Sequence, residues 1–204
     1  MAQQLKDEVQ EAIASAALEI FARKGFRQAT MAEIGKAARI STGNIYRYYE
    51  NKEDLFHALL TEEFVASFVD LVRRRVKSLD GIEDIRELAP TAPFHGISQE
   101  LLAFCLANRQ RVVILLGRSQ GTRYETFSEE LVATLVKLAI AHFRALHPEL
   151  KVTKTMRFNL DRLYRNFVGM MVDILTHFHE EADIRQAIDD YSRYHLAGLK
   201  SFFG

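Results

Sequence analysis

The chain has little that would tie it to the outside of a cell or to a membrane. Cys105 is the only cysteine among 204 residues, so no intrachain disulfide can form and a reducing compartment is expected. The amino terminus carries acids where a signal peptide needs an apolar run, and the longest uncharged apolar runs, such as 167–172, are too short to span a bilayer. We therefore expect a cytoplasmic protein with no membrane partner.

The chain also lacks net charge, because its 27 basic and 27 acidic side chains cancel. The whole protein should therefore not attract polyanions indiscriminately. Charge is concentrated locally instead: residues 21–52 include seven basic residues and only two acidic ones, Glu33 and Glu50. This local excess fits the neutralisation of several phosphates. The basic residues are Arg23, Lys24, Arg27, Lys36, Arg39, Arg47 and Lys52.

Strand-like alternation is almost absent, and apolar residues recur at the three- and four-residue steps of helices. In the first segment Val9, Ile13, Ala17 and Ile20 show this spacing, and Gly25 follows as a helix stop. The sequence predicts an all-α protein of about nine helices. We expect a three-helix DNA-binding head in 1–50 and a helical domain for effector binding and dimerisation in 51–204.

Residues 29–56 have polar capping residues at the spacing of a helix-turn-helix followed by another helix. Thr30 opens the second helix with Glu33 three residues later, which predicts a capping box. After a turn, Ser41 is expected to cap a short third helix, and Asn51 to cap a long fourth helix that continues to about residue 79. The third helix would then be the recognition helix, which lies in the major groove of duplex DNA.

The recognition helix carries side chains suited to bases and phosphates. A threonine, a glycine that permits close approach and a tyrosine ring stand where base edges would be met. An amide, a guanidinium, a phenol and the lysine at the start of the fourth helix offer groups for phosphate or base oxygens. An ordinary solvated helix face is the alternative interpretation. The predicted DNA-binding residues are Thr42, Gly43, Asn44, Tyr46, Arg47, Tyr48 and Lys52.

Residues 13–60 resemble the amino-terminal signature of the TetR family of transcriptional repressors. The resemblance implies DNA contact at the positions above and at Ser41, and a phosphate contact at Thr30. Arg39 departs from the family, which usually places glycine in the turn, and Asn44 departs where threonine, serine or alanine is commoner. The matching residues are Ala16, Ala17, Phe21, Gly25, Thr30, Ile34, Ala37, Ser41, Gly43, Tyr46, Lys52 and Leu55.

One such head reads only a few base pairs, so useful affinity requires two heads on an inverted-repeat operator. The last two helices carry apolar bands too wide for a single neighbour, and the resemblance implies that they form a four-helix dimer interface. A monomeric core is the alternative. The candidate interface residues are Leu163, Phe167, Met171, Ile174, Phe178, Tyr191, Tyr194, Gly198 and Phe202.

A surplus of phenylalanine and methionine in the middle helices could line an effector pocket or simply form a core. If there is a pocket, its composition favours an apolar or aromatic ligand. The candidate pocket residues are Phe64, Phe68, Phe104, Cys105, Leu116, Tyr124, Phe127, Met170 and Met171.

Catalysis is not indicated. His177 and His179 are two residues apart and point to different sides of a helix, and no metal-binding spacing, phosphate loop or nucleophile elbow is present. We expect no catalytic residue, metal or cofactor. The sequence thus predicts a homodimeric repressor released from its operator by a small effector. Two alternatives remain: a DNA-bound scaffold that recruits another protein, or a helical small-molecule-binding protein without a regulatory role.

Overall fold

Every regular element in the described part of this computed structural model is an α-helix, which confirms the predicted fold class. The structure describes residues 2–82 and 88–203. Within these ranges no helix combines the length with the sustained apolar composition that crossing a bilayer requires. The ten helices found there are α1 Ala2–Lys24, α2 Met31–Ala38, α3 Thr42–Ile45, α4 Lys52–Leu59, α5 Glu62–Lys77, α6 Pro93–Ala107, α7 Arg109–Gly117, α8 Phe127–Leu146, α9 Lys154–His177 and α10 Glu181–Phe203.

The chain folds into two compact units. The first, which we call the head unit, is Met1–Val65 together with Arg109–Thr126. The second, the body, is Ala66–Asn108 together with Phe127–Gly204. Helix α7 therefore belongs to the same compact unit as the amino-terminal helices. The functional division expected at residue 51 stays a prediction.

Three aromatic rings form the centre of the head unit. The ring centroid of Phe56 lies 5.5 Å from that of Phe21 and 5.1 Å from that of Phe26, in edge-to-face geometry in both cases. Phe21 and Phe56 are fully buried, as are Ile34 and Ile45, which bring α2 and α3 onto the same core. The recognition element is therefore attached to a packed aromatic cluster.

The starts of α2, α3 and α4 confirm the predicted caps. The hydroxyls of Thr30 and Ser41 accept hydrogen bonds from the backbone N–H groups of Glu33 and Asn44, each at 3.2 Å. Asn51 accepts from the backbone of Asp54 at 2.8 Å. These bonds satisfy donors that a helix start otherwise leaves unpaired, so short-range polar spacing alone fixes where the helices begin.

The expected long fourth helix is wrong, because the chain breaks between α4 and α5. Leu60 leaves helical geometry, with φ of −109° and ψ of 75°, and is fully buried. Thr61 then restarts the helix, since its hydroxyl accepts a hydrogen bond from the backbone N–H of Phe64 at 3.2 Å. Farther along the chain, α6 and α7 are likewise separate helices, which meet at Asn108.

Helix α7 is an internal helix of the head unit. Its five consecutive residues 112–116 are all buried, and the backbone N–H of Phe26 donates to the carbonyl of Arg118 just beyond its end, at 2.9 Å. An apolar run with no polar face indicates burial on all sides but not against which neighbour. The sequence therefore could not assign α7 to the head unit.

The turn between α2 and α3 is a Schellman motif with an unusual residue. The backbone N–H of Ile40 donates to the carbonyl of Gly35 at 2.8 Å, and that of Arg39 to the carbonyl of Lys36 at 3.3 Å. Arg39 has φ of 58° and is the only non-glycine residue with positive φ in the described part of the chain. A side chain in this left-handed conformation costs roughly 1–2 kcal/mol.

Gly35 allows the two helices to approach each other. A Cβ atom at this position would lie 2.8 Å from the carbonyl oxygen of Ile40 and 3.3 Å from Cδ1 of Ile45. The first contact is with backbone, which cannot rotate away. Gly43, in α3, differs because a Cβ atom there would have no heavy atom within 4 Å.

We expect Gly35→Ala to lower the free energy of unfolding by about 1–3 kcal/mol, because the added methyl group forces α2 and α3 apart. Gly43→Ala is the matched control and should change the same quantity by less than about 1 kcal/mol. Urea unfolding followed by circular dichroism measures both. Equal effects of the two substitutions would contradict the close approach at Gly35.

Candidate nucleic-acid interface

Helix α3 divides its side chains between the core and the surface. Ile45 and Tyr49 are buried, at 0% and 6% exposure, as expected for residues that hold the helix in place. Tyr46 is 52% exposed although it is a large aromatic residue, and Arg47 is exposed next to it. Tyr48 is half-buried. The outward face therefore presents an aromatic ring and a guanidinium.

The start of α3 is polar and accessible. Gly43 is exposed with open space around its Cα, and Thr42 and Asn44 are half-buried. The hydroxyl of Ser41 caps the helix, so its oxygen already accepts one hydrogen bond. The structure thus brings the predicted residues 41–48 together in one surface segment. Their contact with DNA stays a prediction.

Both polar groups of Thr30, its hydroxyl and its backbone N–H, are already hydrogen-bonded within the protein. Its hydroxyl lies 3.1 Å from Oε2 of Glu33 and donates to it, and its backbone N–H donates to the same oxygen at 3.1 Å. A phosphate contact by this hydroxyl, which the resemblance implies, requires its proton to turn away from Glu33. The backbone at this helix start remains well placed for a phosphate.

The carboxylate of Glu33, beside Thr30, is already neutralised by a cation. Lys24, at the end of α1, forms an ion pair and hydrogen bond with Glu33, and this bond is the main cause that holds the pKa of Glu33 below its ordinary value. In the part of the chain that the structure describes, no acidic side chain pairs with the exposed residues Arg27, Lys36, Arg39 or Arg47. Cations therefore predominate on this surface.

Lys52 has a structural role that the sequence did not predict. Its Nζ donates to the backbone carbonyls of Phe26 and Ala29, both at 2.7 Å, and lies 4.4 Å from the ring centroid of Phe26. Partial burial of the ammonium lowers its pKa. The side chain thus connects the start of α4 to the loop between α1 and α2. These bonds use two of three N–H groups, so a phosphate contact through the third stays a prediction.

The predicted anion site at the start of α4 is less open than expected. Asn51 already accepts from the N–H of Asp54, and the carboxylate of Asp54 accepts from the N–H of Glu50 at 3.1 Å. Glu53 is exposed in the same turn. The local carboxylates partly satisfy the positive end of this helix.

The effector-pocket candidates do not form one group. Phe68 contacts Phe104 and Phe127, with centroid distances of 6.3 and 6.4 Å, in the body. Phe64, Leu116 and Tyr124 belong to the head unit instead. Cys105 and Met171 are half-buried in the body, whereas Met170 is 38% exposed. Their assignment to a pocket stays a prediction.

The body has an open groove that shares one residue, Phe104, with this candidate set. The groove has a volume of about 520 Å³. Its rim includes a bidentate ion pair in which Nη1 and Nη2 of Arg74 lie 3.1 and 2.8 Å from the carboxylate of Glu100. The lining residues are Ala66, Ser67, Asp70, Leu71, Arg74, Glu100 and Phe104.

The dimer candidates differ in exposure. Tyr194 is 72% exposed, and its ring lies 5.9 Å from that of Tyr191, which in turn stacks on Phe167 at 5.9 Å. Ile174 is only 5% exposed, so it offers little surface to an interface, and its assignment stays a prediction. The side chain of Phe202 lies outside the described residues. The remaining candidates Leu163, Phe167, Met171, Phe178 and Tyr191 are half-buried, and Gly198 is exposed.

The histidines form no metal site in the described ranges. Within residues 2–82 and 88–203, no three side chains of histidine, cysteine, aspartate or glutamate come close enough together to bind a metal ion.

Comparison with known proteins shows the strongest similarity at the amino terminus. Residues 13–59 match the family model described as bacterial regulatory proteins, tetR family. The chain is 34% identical over 65 residues to the fatty acid metabolism regulator protein of Bacillus subtilis (strain 168), which is 32% of this chain and 33% of that protein. It is 25% identical over 167 residues to the HTH-type transcriptional regulator UidR of Escherichia coli (strain K12), 79% of each chain.

The similarity to other proteins is partial or distant. In three of the curated relatives, the matched region spans 33%, 48% and 55% of the relative's length. Among solved structures, the fatty acid degradation regulator FadR from Bacillus halodurans is 21% identical, with 92% of this chain and 98% of that chain covered and a TM-score of 0.46.

We expect Lys52→Met to lower the free energy of unfolding by about 1–3 kcal/mol, because two partly buried carbonyls lose their donor. Lys36→Met, at an exposed position of α2, is the control and should change it by less than about 0.5 kcal/mol. Thermal unfolding of the two variants and the parent protein provides the comparison. A Lys52 variant as stable as the parent would show that the ammonium does not hold the loop.

Proposed function

Since this chain belongs to the TetR family of bacterial regulatory proteins, we propose that it is a homodimeric repressor that binds an inverted-repeat operator and is released by a small effector. DNA-binding transcriptional regulation is the activity of this family, and such regulators act by binding and not by catalysis. The finer features, which are the dimer, the operator symmetry and the effector, are our proposal.

One observation carries the proposal of DNA contact: the outward face of α3 exposes Tyr46 and Arg47 on a surface where cations lack acidic partners. In the free protein, half of the Tyr46 side chain is in contact with water. Its apolar ring would be buried if it packed against a thymine methyl or a deoxyribose. The cations at Arg27, Lys36 and Arg39 lie in the same segment of sequence and suit phosphates. The buried residues Ile45 and Tyr49 hold this face rigidly.

The proposed dimer would use α9 and α10. Phe158 on α9 and Tyr194 on α10 are 59% and 72% exposed, which is unusual for large aromatic residues of a monomer. A second copy of the same surface would bury both and would place two heads on one operator.

Release requires the effector to prefer a dimer state in which the heads do not fit the operator. The break at Leu60 and Thr61 excludes one continuous helix from Lys52 to the candidate pocket residues. Helix α5 begins in the head unit and continues into the body, and it carries both Phe64 and Phe68. We propose α5 as the transmitting element. A ligand that left head separation and mobility unchanged would contradict this mechanism.

Selection of bound sequences from a random duplex DNA pool should recover an inverted repeat. On that operator we expect Arg47→Ala to weaken binding about tenfold and to reduce the slope of log affinity against log salt by about one, since one phosphate contact is lost. Arg73→Ala, which removes an exposed cation from α5, is the control and should leave both quantities unchanged. A pool with no enriched motif, or equal effects of the two variants, would contradict the proposed interface.

We expect Tyr194→Arg to convert the dimer to monomers, because it places a charge at the centre of the exposed aromatic surface. Sedimentation equilibrium of parent and variant measures the association state. Lys137→Glu on α8, also exposed but distant from the aromatic residues in sequence, serves as the control. A parent protein that is monomeric at micromolar concentration would overturn the dimer and would favour the exposed rings as a docking surface for another protein.

A further inference from the structure

Arg75, on α5 in the body, is half-buried and has no acidic partner among the residues that the structure describes. Its Nε donates to Oγ of Ser98 at 3.1 Å, and its guanidinium carbon lies 4.9 Å from the ring centroid of Phe94, which is 6% exposed. No carboxylate in the described part of the chain lies within ion-pair distance of it. The preceding residue, Arg74, is exposed and pairs with both Glu100 and Asp70.

The groups near Arg75 cannot neutralise it. Tyr164 and His195 are 8% and 7% exposed, with ring centroids 5.2 Å apart, and the charge of Arg75 acts on both. Burial, together with Arg75, lowers the pKa of His195 to about 4, so the imidazole is neutral at neutral pH. Burial also raises the pKa of Tyr164, which stays a neutral phenol. Nε2 of His195 is buried without a hydrogen-bond partner.

Enclosure of an unpaired cation is costly. Removing a charge from water is unfavourable unless an opposite charge compensates, and partial removal is unfavourable in proportion. Desolvation accordingly lowers the pKa of Arg75 itself. Such arrangements persist where a ligand supplies the missing charge.

Helix α6 has apolar surface that the described part of the chain does not cover completely. It is strongly apolar, but Phe94 is its only buried residue, while Leu101, Leu102 and Cys105 retain exposed surface. Burial nevertheless raises the pKa of the Cys105 thiol to about 12. Ser98, the partner of Arg75, lies on the same helix.

We propose that Arg75 anchors the carboxylate of a small organic acid, and that the apolar or aromatic body of this acid packs along α6. This inference rests on the proposed function, since the acid would be the effector. The hydroxyl of Ser98, which accepts from Arg75, and the phenol of Tyr164, which interacts electrostatically with Arg75, can donate to the same carboxylate.

The charge balance selects a monoanion. One guanidinium among neutral groups matches one negative charge, whereas a phosphate monoester would bring about two charges and require further cations. The planar fork of arginine fits the two oxygens of a carboxylate. A neutral ligand would leave this half-buried cation unpaired.

Isothermal titration calorimetry on the full-length protein tests the site without DNA. The probes are straight-chain acids from butanoate to dodecanoate and the aromatic acids benzoate and 4-phenylbutyrate, each compared with its neutral amide. We expect at least one acid to bind about tenfold or more tightly than its amide, the ratio that a charged hydrogen bond provides. Absence of binding across the series, or equal binding of acids and amides, would overturn the proposal.

Arg75→Met provides the second test, because methionine keeps much of the side-chain volume and removes the charge. We expect this variant to lose the preference for the acid, and to unfold at the same or a higher temperature than the parent, since an uncompensated charge is gone. Arg74→Met is the matched control: it removes one cation from the adjacent position of α5 and should keep the preference. A lower unfolding temperature of Arg75→Met in the absence of ligand would show that the guanidinium is a structural ion-pair partner.

Failure of the site and failure of the proposed function give different results. A preference for the acid that depends on Arg75 supports the site, whether or not an operator is selected. If no operator is selected, the proposed regulatory function is overturned. A protein that binds an operator and shows no preference for any acid retains the regulatory function and loses this effector class. Release of the operator by the same acid, lost in Arg75→Met, would support both.

Discussion

The position of the recognition element depends on one side chain, Lys52. Its ammonium binds the carbonyls of Phe26 and Ala29 and lies over the ring of Phe26, which itself packs against Phe21 and Phe56. Because Ala29 directly precedes the Thr30 cap of α2, this connection fixes the start of the helix-turn-helix relative to α4. A cation that sequence reasoning assigned to DNA alone thus organises the surface on which DNA would bind.

The turn in the same element shows that tight packing can hold an unfavourable backbone. Gly35 lets α2 approach the carbonyl of Ile40, and the two Schellman hydrogen bonds then require a left-handed residue at position 39. Arginine accepts this conformation at roughly 1–2 kcal/mol, a cost that glycine would avoid. This conformation places the exposed guanidinium of Arg39 in the turn just before α3. The loss of stability and the gain of charge occur at one residue, which is consistent with a binding role for this turn.

Local chemistry was predictable from the sequence, and long-range packing was not. The caps at Thr30, Ser41 and Asn51 follow from spacing over three or four residues, and the structure confirms them. The break at Leu60 was missed because apolar periodicity continues through it; the signal that could have found it is Thr61 followed by Glu62 and Glu63, a typical helix start. The membership of α7 in the head unit and the isolation of Arg75 depend on contacts between distant segments, which no local pattern encodes.

Among the residues that the structure describes, the cations around α3 and Arg75 lack acidic partners, and their surroundings determine what each can bind. Those around α3 are exposed, so water and salt screen them, and only a partner with many closely spaced negative charges gains much from meeting them. Arg75 is half-buried beside Phe94, Tyr164 and a neutral His195, where a single charge interacts more strongly than at the exposed surface. The same residue type therefore suits a nucleic acid at one place and one small carboxylate at the other. Since α5 carries Arg75 and begins within the head unit, a charge that binds in the body acts on a helix continuous with that unit.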